Sequence, residues 1–114
     1  MSYAAGFDDV ADVLSAISVK SPHRSVKAAA IFTLAELYDR SRRTDDERPL
    51  LERVATEFAD TTYGPRAKGK IYVLEHLALG KVAPDFEAED ETGTKFKLSD
   101  YRGKIVVLDY WGFW

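Results

Sequence analysis

The 114-residue sequence contains no cysteine. Disulfide staples, thiolate metal sites and thiol catalysis within the chain are therefore excluded. Histidine is nearly absent too: His23 and His76 lie far apart, one beside an expected helix start and the other late in a helix. Both read as ordinary surface or boundary histidines. Glu75 adds no ligand to His76, because adjacent helical residues point in different directions. No apolar run is long enough to span a bilayer. The opening MSYAAGFDDV has neither a basic nor an apolar leader region, so no signal peptide is visible. Charge of one sign is also missing. The net charge of -3 comes from interspersed acids and bases, which gives no reason to expect nucleic acid or an anionic membrane as partner. No phosphate loop is present, since RAKGKIYVL lacks the glycine spacing of one. No catalytic residue, metal site or cofactor is expected in this chain.

What is present is a soluble, globular composition, 46% hydrophobic and 31% charged. The first two thirds read as helices. Val10, Val13, Leu14 and Ile17 recur at helical spacing after Asp8 and Asp9, which suit the positive end of a helix. Ser21 then predicts an N-cap, with Pro22 at the first helical position of a second helix. That helix carries Val26, Ala29, Ala30, Leu34, Leu37 and Tyr38. The charged stretch DRSRRTDDER reads as a solvated turn. A third helix carries Leu50, Leu51, Val54, Ala55 and Phe58, and ADTTYGP breaks it. A fourth runs from about Pro65 to Leu79 and ends at Gly80, a good left-handed C-cap.

The helices look duplicated. AAIFTLAEL (residues 29–37) aligns with GKIYVLEHL (residues 69–77), and Val10, Val13, Leu14 and Ile17 fall on Leu51, Val54, Ala55 and Phe58. A single hairpin cannot cover its own apolar face, so two stacked hairpins are the simplest arrangement. The stretch FADTTYGPRA resembles the helix–turn–helix junction of tetratricopeptide-like repeats in bacterial envelope proteins. The residues that carry the resemblance are Phe58, Asp60, Thr61, Tyr63, Pro65 and Ala67. The Trp and Gly positions of the standard repeat are missing, and a generic helical bundle stays open as an alternative.

After Gly80 the period changes to that of strands. VAPDFEAED and KFKLSD alternate about the turn ETGT, which predicts a β-hairpin. Ser99 is placed to cap a single helical turn that Gly103 releases. Residues 105–108 are an unbroken apolar run, as in a strand buried on both faces. The acids Asp85, Glu87, Glu89, Asp90 and Glu91 cluster near the hairpin tip and read as a solvated turn, since nothing apolar surrounds them to raise a pKa.

Residues 80–114 resemble the opening of thioredoxin-like oxidoreductases of the TlpA and redoxin type. The motifs, in order, are Ala83-Pro84-Asp85-Phe86, the acidic turn ending in glycine, Leu98-Ser99-Asp100-Tyr101-x-Gly103-Lys104, and Val-Val-Leu-Asp-Tyr-Trp-Gly. In that family the next residues are Cys-x-x-Cys. The resemblance implies that Trp111, Gly112, Phe113 and Trp114 flank the redox centre, with Trp111 and Trp114 shielding the cysteine and shaping its docking surface. For Trp111, simple packing at a strand end is the competing reading. Peroxiredoxins share the early strands but place their cysteine after a Pro-x-x-x-Thr segment. The Trp-Gly-x-Trp ending favours the thioredoxin-like branch.

The expected fold is mainly α with a small β part: two helical hairpins over residues 1–80, then a β-hairpin and one further strand of an incomplete thioredoxin-like fold over residues 81–114. The expected function is that of an N-terminal fragment of a thiol–disulfide oxidoreductase, stopping one residue short of the redox cysteine and inactive alone. A non-catalytic helical module for protein interaction or dimerisation is the alternative. The resemblance alone suggests the bacterial envelope or periplasm. An incomplete sheet predicts self-association through the bare strand.

Overall fold

In the computed structural model, residues 3–112 are described, with side chains from residue 6 onward. The chain is mainly helical with a small two-stranded sheet. It divides into two compact units between Lys81 and Val82.

The first unit holds α1 (Tyr3–Lys20), α2 (Arg24–Arg40), α3 (Thr44–Glu57) and α4 (Tyr63–Tyr72), the last continued by a π-helical turn over Val73–Leu77. Each helix packs against the next, and α2 also touches α4. The core joins Ala28, Ile31, Phe32 and Ala35 of α2 to Leu51, Val54 and Ala55 of α3, Phe58 at its end and Ala67 of α4. Ile31, Leu51 and Val54 are the largest fully buried side chains. Each stabilises the unit by roughly 1.5–3 kcal/mol. The alanines let the helix axes approach closely.

Three local details differ from the sequence reading. Helix α1 starts at Tyr3, ahead of Asp8 and Asp9, which lie inside it. Helix α2 starts at Arg24 rather than at Pro22, because the Ser21 hydroxyl accepts the His23 N–H at 3.2 Å in a local turn before it. The charged stretch is mostly helical, not a long turn. Only residues 41–43 separate α2 from α3, with Arg42 at φ 57. Asp45, Asp46 and Glu47 occupy the first turn of α3, where backbone N–H groups favour negative charge.

A larger correction concerns α1. Its buried side is Phe7, Ala11, Leu14 and Ser18, all wholly or partly covered. Val10, Val13 and Ile17 remain 50%, 59% and 37% exposed. The helix is apolar on two faces and α2 covers only one.

The junction between α3 and α4 explains its sequence. Thr61 donates its hydroxyl to the Phe58 carbonyl at 2.7 Å, and Gly64 N–H donates to Thr61 O at 3.2 Å. Gly64 sits so close to Ala59 that a β-carbon would lie 2.7 Å from its Cα and its carbonyl oxygen. The Tyr63 ring rests 5.5 Å from that of Phe32. Asp60 is gripped by Arg24, whose guanidinium also reaches the Glu57 carbonyl and lies 4.9 Å over the Phe58 ring.

In the second unit β1 (Glu87–Glu89) pairs antiparallel with β2 (Lys95–Lys97), with Ala88 opposite Phe96. Asp90 closes the turn between them, accepting from Thr92 N–H at 2.8 Å and Thr94 N–H at 2.9 Å, and Gly93 takes φ 82. A 3-10 turn follows over Leu98–Tyr101. Its cap is Asp100, which accepts the Lys97 N–H at 2.9 Å; Ser99 has a different task. The further strand expected over residues 105–108 joins no sheet among the described residues. An apolar run becomes a strand only where a neighbour completes its ladder.

Candidate redox-flank site

Ser99 and Asp85 are fourteen positions apart and meet directly. Asp85 Oδ1 accepts the Ser99 N–H at 2.8 Å and the Phe86 N–H at 3.1 Å, while Oδ2 accepts the Ser99 hydroxyl at 2.7 Å. The Ser99 hydroxyl, then its backbone N–H, hold the Asp85 carboxyl below its ordinary range. Leu98 N–H donates to Phe86 O at 3.1 Å, so the strand ladder runs straight into this clasp. Around it lies an open groove of about 290 Å³ lined by Val82, Ala83, Leu98, Tyr101, Arg102 and Val106. The groove is mostly apolar, and Asp85 and Ser99 join Tyr101 and Arg102 as its polar side chains.

Two further acids of the hairpin are tied to their neighbours. Asp90 is held below its ordinary range, chiefly by the Thr92 hydroxyl and the Thr94 N–H. Glu87 lies 3.8 Å from Lys95. A carboxyl held low in this way, as Asp90 is, makes a poor general acid. Among the described residues no group of histidines and acids could hold a metal ion. His23 sits at the N-cap of α2, and the His76 ring lies 4.6 Å from that of Tyr72.

Of the residues expected to flank a redox centre, Trp111 is 75% exposed, and it and Gly112 lie in a segment without regular structure. Phe113 and Trp114 lie outside the described residues. Sequence reasoning missed the Asp85–Ser99 clasp. Its only signal was Asp85 following Pro84, a proline that fixes the approach of the strand.

Residues 79–114 match the AhpC/TSA family. The C-terminal segment is redoxin-like. It is similar to the thiol-disulfide oxidoreductase ResA of Geobacillus kaustophilus, 53% identical over 38 residues, which cover 33% of this chain and 22% of the relative. ResA of Geobacillus thermodenitrificans is 50% identical over the same length and the same shares. ResA of Bacillus subtilis is 45% identical over 40 residues, 35% of this chain and 22% of the relative. The chain thus spans less than a quarter of the length of the relatives it matches. No solved structure matches the chain significantly. The redoxin-like segment contains the whole second unit: hairpin, clasp, groove and Trp111.

Proposed function

We propose that this chain is the N-terminal part of a thioredoxin-like thiol–disulfide oxidoreductase: a helical-hairpin domain followed by the opening of the redox domain. The observation that carries the reading is the similarity of residues 79–114 to the redoxin family and to ResA. In this reading the redox cysteines follow Trp114, and Trp111, Gly112, Phe113 and Trp114 form the wall beside them. The Asp85–Ser99 clasp ties the start of the β-hairpin to the turn that leads into that wall. The chain itself supplies no thiolate, so it positions chemistry rather than performing it. The test is the coding sequence after the Trp114 codon. A Cys-x-x-Cys there supports the proposal; a stop codon refutes it. Independently, the chain alone is expected to match the no-enzyme blank in dithiothreitol-driven insulin reduction, and turnover above that blank contradicts the assignment.

A second reading, a helical module for protein contact, is favoured by one observation: the exposed Val10, Val13 and Ile17 stripe on α1.

A further inference from the structure

We infer that α1 is a homodimerisation helix, pairing antiparallel with α1 of a second copy of this chain across a two-fold axis. Val10, Val13 and Ile17 form one stripe, since residues three and four apart share a helix face. Their counterparts in the second hairpin are Leu51, Val54 and Phe58, which are 0%, 0% and 5% exposed. Those counterparts belong to the core shared with α2. The same repeat positions on α1 are therefore built to be covered by a helix, and this chain leaves them bare. Gly6 continues the stripe toward the start of α1, and nothing lies within 4 Å of where its β-carbon would sit. A second backbone can approach closely there.

The charges beside the stripe select the occupant. Asp9, Ala16 and Lys20 lie along one flank of it, by the same helical periodicity. Neither Asp9 nor Lys20 makes an ion pair or a side-chain hydrogen bond among the described residues. In an antiparallel pair centred on Val13, Asp9 of one copy comes level with Ile17 of the other. Lys20 of that copy is then three residues further on, about 4.5 Å of helix rise away. A lysine spans that gap, and the two-fold axis makes the contact twice. Parallel two-fold pairing would instead put the two copies of this flank on opposite sides of the seam, where Asp9 and Lys20 do not meet. An isologous, self-complementary patch is what a two-fold dimer requires.

One helix against its copy sits at the small end of specific interfaces, so the dissociation constant should fall between roughly 1 μM and 1 mM. Sedimentation velocity of the full chain over about that range tests it. The experiment is repeated in Ile105→Lys/Val107→Lys, which places charge on the most exposed aliphatic positions of the C-terminal segment and so disfavours association through it. Val13→Glu should weaken the dimer at least about tenfold, with helical circular dichroism unchanged. Asp9→Lys and Lys20→Glu should each weaken it. The double exchange Asp9→Lys/Lys20→Glu should restore it to within about threefold of the parent, because only the sign of each pair is reversed. A chain that stays monomeric throughout overturns the proposal. So does a double exchange no tighter than its single components.

Discussion

Two glycines in α4 should respond in opposite directions to the same substitution. At Gly64 an added β-carbon would meet Ala59 Cα and O at 2.7 Å and its carbonyl carbon at 2.9 Å. These are backbone atoms, fixed at both ends by the junction hydrogen bonds from Thr61 and Gly64. They cannot swing aside as a side-chain tip can. Overpacking of this kind costs about 1–3 kcal/mol, and rigid neighbours argue for the upper end. Helix propensity offsets at most about 1 kcal/mol in favour of alanine. The steric effect wins by about 2 kcal/mol. For a unit of this size that lowers the melting temperature by roughly 8–16 °C. At Gly69, nothing lies within 4 Å of the added carbon. Only propensity acts there, so Gly69→Ala should stabilise by about 0.5–1 kcal/mol and raise the midpoint by a few degrees. Thermal melts followed by circular dichroism of both variants decide the matter. If both midpoints move the same way, the close approach of α4 to Ala59 is not what selects glycine at 64.

Glu47 is 2% exposed, and burial, then the charge of Asp39, raise its pKa above the ordinary 4.5. A raised folded-state pKa means that its contribution is full below the unfolded value and is lost as pH rises through the folded one. Glu47→Gln should therefore leave stability unchanged in acid and raise it at neutral pH, as measured by urea melts at both; equal shifts at the two pH values would contradict this. Asp85 behaves oppositely: its lowered pKa means the clasp is complete above the unfolded value and fails as pH falls through the folded one. Asp85→Ala should abolish hydrogen-exchange protection of the Ser99 amide at neutral pH, and retained protection would show that the clasp is incidental. A chain ending at Lys81 should melt cooperatively with strong helical dichroism, because the core lies wholly within α2 to α4; a disordered spectrum would mean that the second unit is needed. Ile105 and Val107 are 99% and 86% exposed, so Ile105→Lys/Val107→Lys should reduce binding of an apolar dye, and undiminished fluorescence would place the sticky surface elsewhere.

Much of the fold could be read locally. Gly80 takes φ 82, although the helix before it ends at Leu77 with Ala78 as its cap, and Gly93 takes φ 82 where the hairpin turn needs a positive backbone angle. That requirement is satisfied within one residue, so sequence reveals it. The hairpin alternation was equally plain, because Phe96 and Ala88 pair across a turn of few residues. What the sequence hides depends on distant partners. Ser99 reads as a helix cap until Asp85 is seen beside it. Glu47 reads as one more solvated charge until α3 turns it inward. The stripe on α1 has core composition, and only the packing of α2 on the other face shows it bare. The apolar run at residues 105–108 has the makings of a strand, but the ladder must come from elsewhere in three dimensions.

The π-helical turn over Val73–Leu77 has a consequence for modularity. The two hairpins align with a one-residue shift between their helices, Val10 falling on Leu51 but Leu37 on Leu77, and the wider turn in the second changes the rotation of each later side chain. Leu37 is half-buried while its counterpart Leu77 is 55% exposed, and Leu34 is buried where Leu74 is only partly so. Equal spacing in sequence has stopped meaning equal facing. The two hairpins are not interchangeable bricks: copying α3 and α4 would carry the π-helical turn into every added hairpin, whereas copying α1 and α2 would not.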